Sequence, residues 1–124
     1  MHKKRILVVD DEEDLTWSIS RRLSKSGKNK QFEIKCANSG KNALKMLSEE
    51  KIDLLLTDWR MPEISGNQLL NEVRENYPET KVVVMTAYGS GEIEEHLKTA
   101  SNIGYIEKPF EMNDLRKLVF SVLL

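Results

Sequence analysis

One cysteine, Cys36, stands alone among 124 residues, so no internal disulfide can form, and no Cys or His lies at metal-ligand spacing from it. Its place in an alternating pattern predicts a small buried apolar residue. With three prolines and six glycines, the chain shows no low-complexity tract, linker or internal repeat. Neither sign of charge dominates: 19 basic and 20 acidic side chains leave a formal net charge of -1. That balance gives no long-range attraction toward nucleic acid or an acidic membrane, and no direct nucleic-acid contact is expected. Long apolar runs are missing too. Nothing approaches the roughly 20 residues of a membrane helix, and Met1-His2-Lys3-Lys4-Arg5 leads into a strand rather than a signal-peptide core. The chain is therefore read as cytoplasmic. What remains is ordinary for a globular protein, 40% hydrophobic and 31% charged, and residues 1–124 fit one domain with a real core.

Five short apolar runs punctuate the sequence, at residues 6–9, 32–36, 54–56, 82–85 and 105–106. Segments of helical period separate them. Leu15, Ile19 and Leu23 form one stripe; Ser39 can cap a helix bearing Ala43, Leu44 and Leu47; Leu69, Leu70 and Val73 follow the turn at 62–66. That third helix stops before Pro78. Ile93, Leu97 and Ala100 mark a fourth helix, and Leu115, Leu118, Val119 and Val122 a fifth. Strict alternation of strand and helix predicts a doubly wound parallel α/β sheet covered on both faces. Runs 6–9, 54–56 and 82–85 are continuously apolar, as strands buried on both faces should be. Phe32, Ile34 and Cys36 instead alternate with Glu33 and Lys35, which predicts an edge strand and the flavodoxin-like (βα)5 order 2-1-3-4-5.

In such a sheet the ends of the strands share one edge, where ligands bind. Asp10 and Asp11 end the first run, Asp58 the third, Thr86 the fourth and Lys108 the last. Each has an ordinary structural reading: a solvated acidic helix start, a turn-forming Asp, a β-branched strand end and a surface lysine. Joined in space, three carboxylates, a hydroxyl and an ammonium suit a divalent cation and a phosphoryl group. The small Ala87 after Thr86 leaves room for a group to approach the hydroxyl. The run 32–36 leads only to Ala37 and Asn38 and is placed outside the site.

These residues, in order and spacing, resemble the receiver domain of two-component response regulators over essentially the whole chain. Carrying the resemblance are Asp10-Asp11, Asp58 with Met61-Pro62 and Gly66, Thr86-Ala87, and Tyr105 ahead of Lys108-Pro109-Phe110. The wording Asp58-Trp59-Arg60-Met61-Pro62 and Thr86-Ala87-Tyr88-Gly89 looks most like receivers that control enhancer-binding transcription activators. The resemblance implies a phosphoacceptor at Asp58, charged by a sensor histidine kinase or a phosphotransfer protein. It implies Mg²⁺ held by Asp11, Asp58, the backbone carbonyl of Arg60 and, through water, Asp10. Lys108 and Thr86 would meet phosphoryl oxygens, Tyr105 would turn inward with Thr86, and the Lys108-Pro109 bond would be cis. The family's dimer and output surface is the fourth helix, last strand and fifth helix, so a receiver homodimer is possible.

Three side chains are candidate partner contacts. Trp17 falls opposite the stripe of the first helix, either exposed or packed under the long basic turn at 25–31. Phe120 and Leu124 lie off the apolar face of the last helix, for a partner or at a frayed end. Two departures from the family pattern, the 25–31 turn and Ser101-Asn102 where Gly-Ala is usual, leave the phosphorylation residues untouched. Two other functions are weighed: a receiver-like binding module that keeps the fold without phosphorylation, and a Mg²⁺-dependent aspartyl phosphohydrolase. The intact Asp11, Asp58, Thr86 and Lys108 speak against the first, and the adjacent rather than Asp-x-Asp acids against the second. A flavin carrier would need a hydroxyl- and glycine-rich loop where this chain has acids that repel phosphate.

Overall fold

A computed structural model describes residues 3–25, 32–87 and 103–123. The strands are β1 (Lys4–Val9), β2 (Phe32–Ala37), β3 (Leu54–Asp58), β4 (Lys81–Thr86) and β5 (Ile103–Glu107). All pair in parallel in the order β2-β1-β3-β4-β5, as the apolar patterns predict. The described helices are α1 (Glu13–Lys25), α2 (Gly40–Glu49), α3 (Gly66–Asn76) and α4 (Met112–Leu123). The helix expected around Ile93, Leu97 and Ala100, the expected turn beyond Lys25 (residues 26–31), Ser101-Asn102 and Leu124 fall outside the described residues.

Successive strand side chains go to opposite faces of a sheet, which is why the central runs are apolar throughout. Leu7, Val9, Leu55, Val82 and Val84 pack with Ala43, Leu47, Leu69, Leu70 and Val73 of α2 and α3. Ile6, Val8, Leu54, Leu56, Val83 and Met85 pack with Ile19, Leu23, Leu115 and Val119 of α1 and α4. Helix starts follow the local chemistry. The Ser39 hydroxyl accepts from the Asn42 N–H, and Ser65 with Gln68 forms a reciprocal capping box.

β2 is the edge strand, but its polar face is not simply bathed in water. Glu33 accepts from Arg5 Nε at 3.1 Å, and Lys35 pairs with Glu50, tying the edge to β1 and the end of α2. The prediction of a buried Cys36 is overturned: the residue is exposed. It sits at the far end of β2 beside α1, where Thr16 offers a backbone carbonyl 3.5 Å from Sγ rather than an apolar cover. Phe120 also departs from expectation. Its ring packs on Phe32 with centroids 5.2 Å apart, so it serves the domain's own core. The buried stripe of α4 is Leu115, Val119 and Leu123, and Phe120 flanks it on the side of the edge strand.

Candidate functional site

Four strand ends bring the polar residues together. Asp10 follows β1 and is fully buried; Asp58 closes β3 and Thr86 closes β4, both buried; Lys108 follows β5 and is half-buried. The Lys108 ammonium lies 2.7 Å from Asp10 Oδ2 and 3.5 Å from Asp58 Oδ1, and its backbone N–H donates to the Thr86 carbonyl. Oxygens of Asp10, Asp11 and Asp58 fall within 4.8 Å of one another. Asp11, unlike the other two, is exposed.

Three carboxylates facing one ammonium leave the cluster short of positive charge, and Asp58 and Lys108 register it. Burial, then the Asp10 charge, pushes the Asp58 carboxyl up from 3.8 to about 6 despite the offsetting pull of Lys108. For Lys108, burial pulls the pKa downward, but the bond to Asp10 and the charge of Asp58 outweigh it and hold the ammonium above its ordinary value. A hard divalent cation fits such a donor set: all oxygen, anionic, and open on the Asp11 side.

The loop after Asp58 is held by close backbone approach. A Cβ at Gly66 would stand 2.2 Å from the Asp58 carbonyl oxygen and 2.8 Å from Trp59 Cα, so only glycine fits. The Gly66 N–H donates to the Trp59 carbonyl, closing the loop, and the Trp59 N–H donates to Met85 of β4. From the other side, Gly40 lets α2 approach Ile64, whose Cβ would lie 2.6 Å from a side chain there. Glu63 takes a left-handed conformation, φ 66°, within the turn. Arg60 lies in this loop with its side chain exposed, next to the buried Trp59.

Two hollows flank the start of α1. Leu15, Ala87, Lys108, Pro109, Phe110 and Met112 line one, which is mainly apolar and opens beside the ammonium. Trp17 lines the other with Glu13, Cys36 and Asn38. Trp17 is 61% exposed, with the Arg21 guanidinium 5.2 Å from the ring centroid; residues 26–31 of the turn expected to cover it lie outside the described residues. Tyr105 is exposed, and Lys108-Pro109 is cis.

Asn38 is the residue that sequence reasoning missed. Placed outside the site on the strength of its strand, it reaches across from β2: Nδ2 donates to the Asp10 carbonyl at 3.0 Å and to the Thr16 hydroxyl at 3.1 Å. A backbone acceptor leaves no mark in a sequence. The only signal was an amide placed just beyond the edge strand, beside the acidic turn.

A parallel, doubly wound sheet in the order β2-β1-β3-β4-β5 defines a flavodoxin-like fold, and acids and a lysine meet at its C-terminal edge. The chain belongs to the response regulator receiver domain family, whose model matches residues 6–120. It is 36% identical over 115 residues to the regulatory protein AtoC of Escherichia coli, covering 93% of this chain and 24% of AtoC. To the DNA-binding transcriptional regulator NtrC of Proteus hauseri it is 29% identical over 119 residues, covering 96% and 24%. The chain thus spans about a quarter of the length of these relatives. Among solved structures it resembles the chemotaxis response regulator CheY4 of Vibrio cholerae, with a TM-score of 0.85 at 26% identity, covering 98% and 99% of the two chains. Among the described residues no helix is long and apolar enough to cross a membrane.

Proposed function

We propose that residues 1–124 form a phosphoacceptor switch in which Asp58 receives a phosphoryl group from a histidine kinase or phosphotransfer protein. The observation that carries this reading is the convergence of Asp58 with Asp10 and Asp11 within 4.8 Å and with Lys108 at 3.5 Å. An Asp58 oxygen attacks phosphorus, the bond from phosphorus to the donor nitrogen breaks, and the leaving imidazole takes up a proton. Asp11, Asp58, the Arg60 carbonyl and, through water, Asp10 would hold Mg²⁺, which would supply positive charge for the phosphoryl oxygens. Lys108 turns from Asp10 to a phosphoryl oxygen, and the Thr86 hydroxyl donates to another, with the small Ala87 leaving space. Tyr105 then moves inward, changing the surface of β5 and α4 that faces an output or a second receiver. Water later cleaves the acyl phosphate, so the domain catalyses only its own phosphorylation and dephosphorylation.

Incubation with acetyl phosphate and Mg²⁺, followed by intact mass, tests the reading. One phosphoryl adduct is expected, absent in Asp58→Asn. No adduct under any donor points to a binding module that is not phosphorylated; sustained turnover of a small phosphate ester points to a hydrolase. The exposed Trp17 supports a docking role on α1. Trp17→Ala is expected to slow transfer from the protein donor severalfold and to leave acetyl phosphate labelling unchanged; equal loss with both donors would refute that role.

A further inference from the structure

The geometry points to Asn38 as a positioning residue for the acidic turn, acting on cation binding through the Asp10 backbone; this rests on the reading above. The Thr16 hydroxyl donates to the Glu13 carbonyl at 2.9 Å, so the atom it offers Asn38 is a lone pair. The other partner is the Asp10 carbonyl, also an acceptor. Both positions require a donor, and only the amide NH₂ of Asn38, with two hydrogens, satisfies them together. Three elements are thereby joined at one nitrogen: the end of β2, the end of β1 and the first turn of α1.

Asp10 is anchored elsewhere as well, its N–H donating to Ala37 and its Oδ1 accepting from Glu12. Neither bond fixes the carbonyl, whose peptide plane leads directly to Asp11. A metal site tolerates displacements of only about 0.5 Å in its ligands, and Asp11 is exposed, so its backbone has the larger part in aiming it. Asn38 therefore restrains the peptide that aims Asp11. Loss of groups that orient ligands typically weakens metal binding about 10–100-fold.

Mg²⁺ titration followed by Trp59 emission, in a Trp17→Phe background so that one indole reports, measures the effect without any phosphoryl chemistry. Asn38→Ala is expected to raise the Mg²⁺ Kd about tenfold. Asn38→Asp, which brings a negative charge toward the cation but replaces the donor by an acceptor, is expected to bind more weakly than the parent as well. Leu47→Ala, a core truncation on the opposite face, controls for general loss of stability and should leave Kd unchanged. A parent that binds Mg²⁺ with Asn38→Ala unchanged, or Asn38→Asp binding as tightly as the parent, overturns the inference alone. A parent that gives no Mg²⁺ response overturns it together with the phosphoacceptor reading.

Discussion

Burial and the Asp10 carboxylate raise the Asp58 pKa to about 6, and that displacement has a defined sign in stability. Below 3.8 the group is protonated in folded and unfolded chains alike and contributes nothing. As pH rises from there to about 6 the unfolded chain releases its proton first, so the folded state loses stability, and above about 6 the penalty is complete. A shift of about two units corresponds to about 3 kcal/mol, which the partial solvent access of the group reduces to about 1–2 kcal/mol. Asp58→Asn is therefore expected to be more stable than the parent by that amount at pH 8 in chelator, with the gain vanishing near pH 3.5. Urea unfolding across this range measures it; a gain independent of pH would contradict the origin assigned to the shift.

Secondary-structure elements divide into those whose role could be seen in one dimension and those whose role depends on a neighbour. β1, β3 and β4 announced themselves because a strand buried on two faces is apolar at every position, and β2 because its alternation required an edge. Asp10, Asp58 and Lys108 were legible for the same reason: strand ends fix them to one edge whatever the side-chain details. Cys36, Asn38 and Phe120 were not, because each depends on which element lies opposite the edge strand. Glycine shows the same division. Gly66→Ala forces a Cβ to within 2.2 Å of the Asp58 carbonyl and is expected to cost about 3 kcal/mol, disordering the loop on which Arg60 lies. At Gly104 in β5 an added Cβ would meet Leu118, Val122 and Val83 at 3.4–3.6 Å, ordinary contact distances. Gly104→Ala is therefore expected to stabilise by about 0.5–1 kcal/mol by restricting the unfolded chain. Thermal unfolding of the pair checks both signs.

For the molecule as a whole, the proposed cation is a stabiliser as well as a cofactor. A ligand at a hundred times its Kd adds about 2.7 kcal/mol to folding, so Mg²⁺ should raise Tm and chelator should remove the gain. Because the cation competes with the proton on Asp58, the Mg²⁺-dependent part of the Tm is expected to shrink as pH falls through about 6. Calorimetry at pH 8 and pH 5 distinguishes this from a general salt effect, which would persist at both.

The contact between Asp10 and Lys108 joins residues 98 positions apart in the sequence. During synthesis the acids of β1 and β3 leave the ribosome well before the lysine that partly offsets their charge. Until β5 docks, the cluster is only a knot of like charges with no cation of its own. On the phosphoacceptor reading proposed above, competence to accept a phosphoryl group would arrive with the last strand, and a chain truncated before it is expected to stay unlabelled.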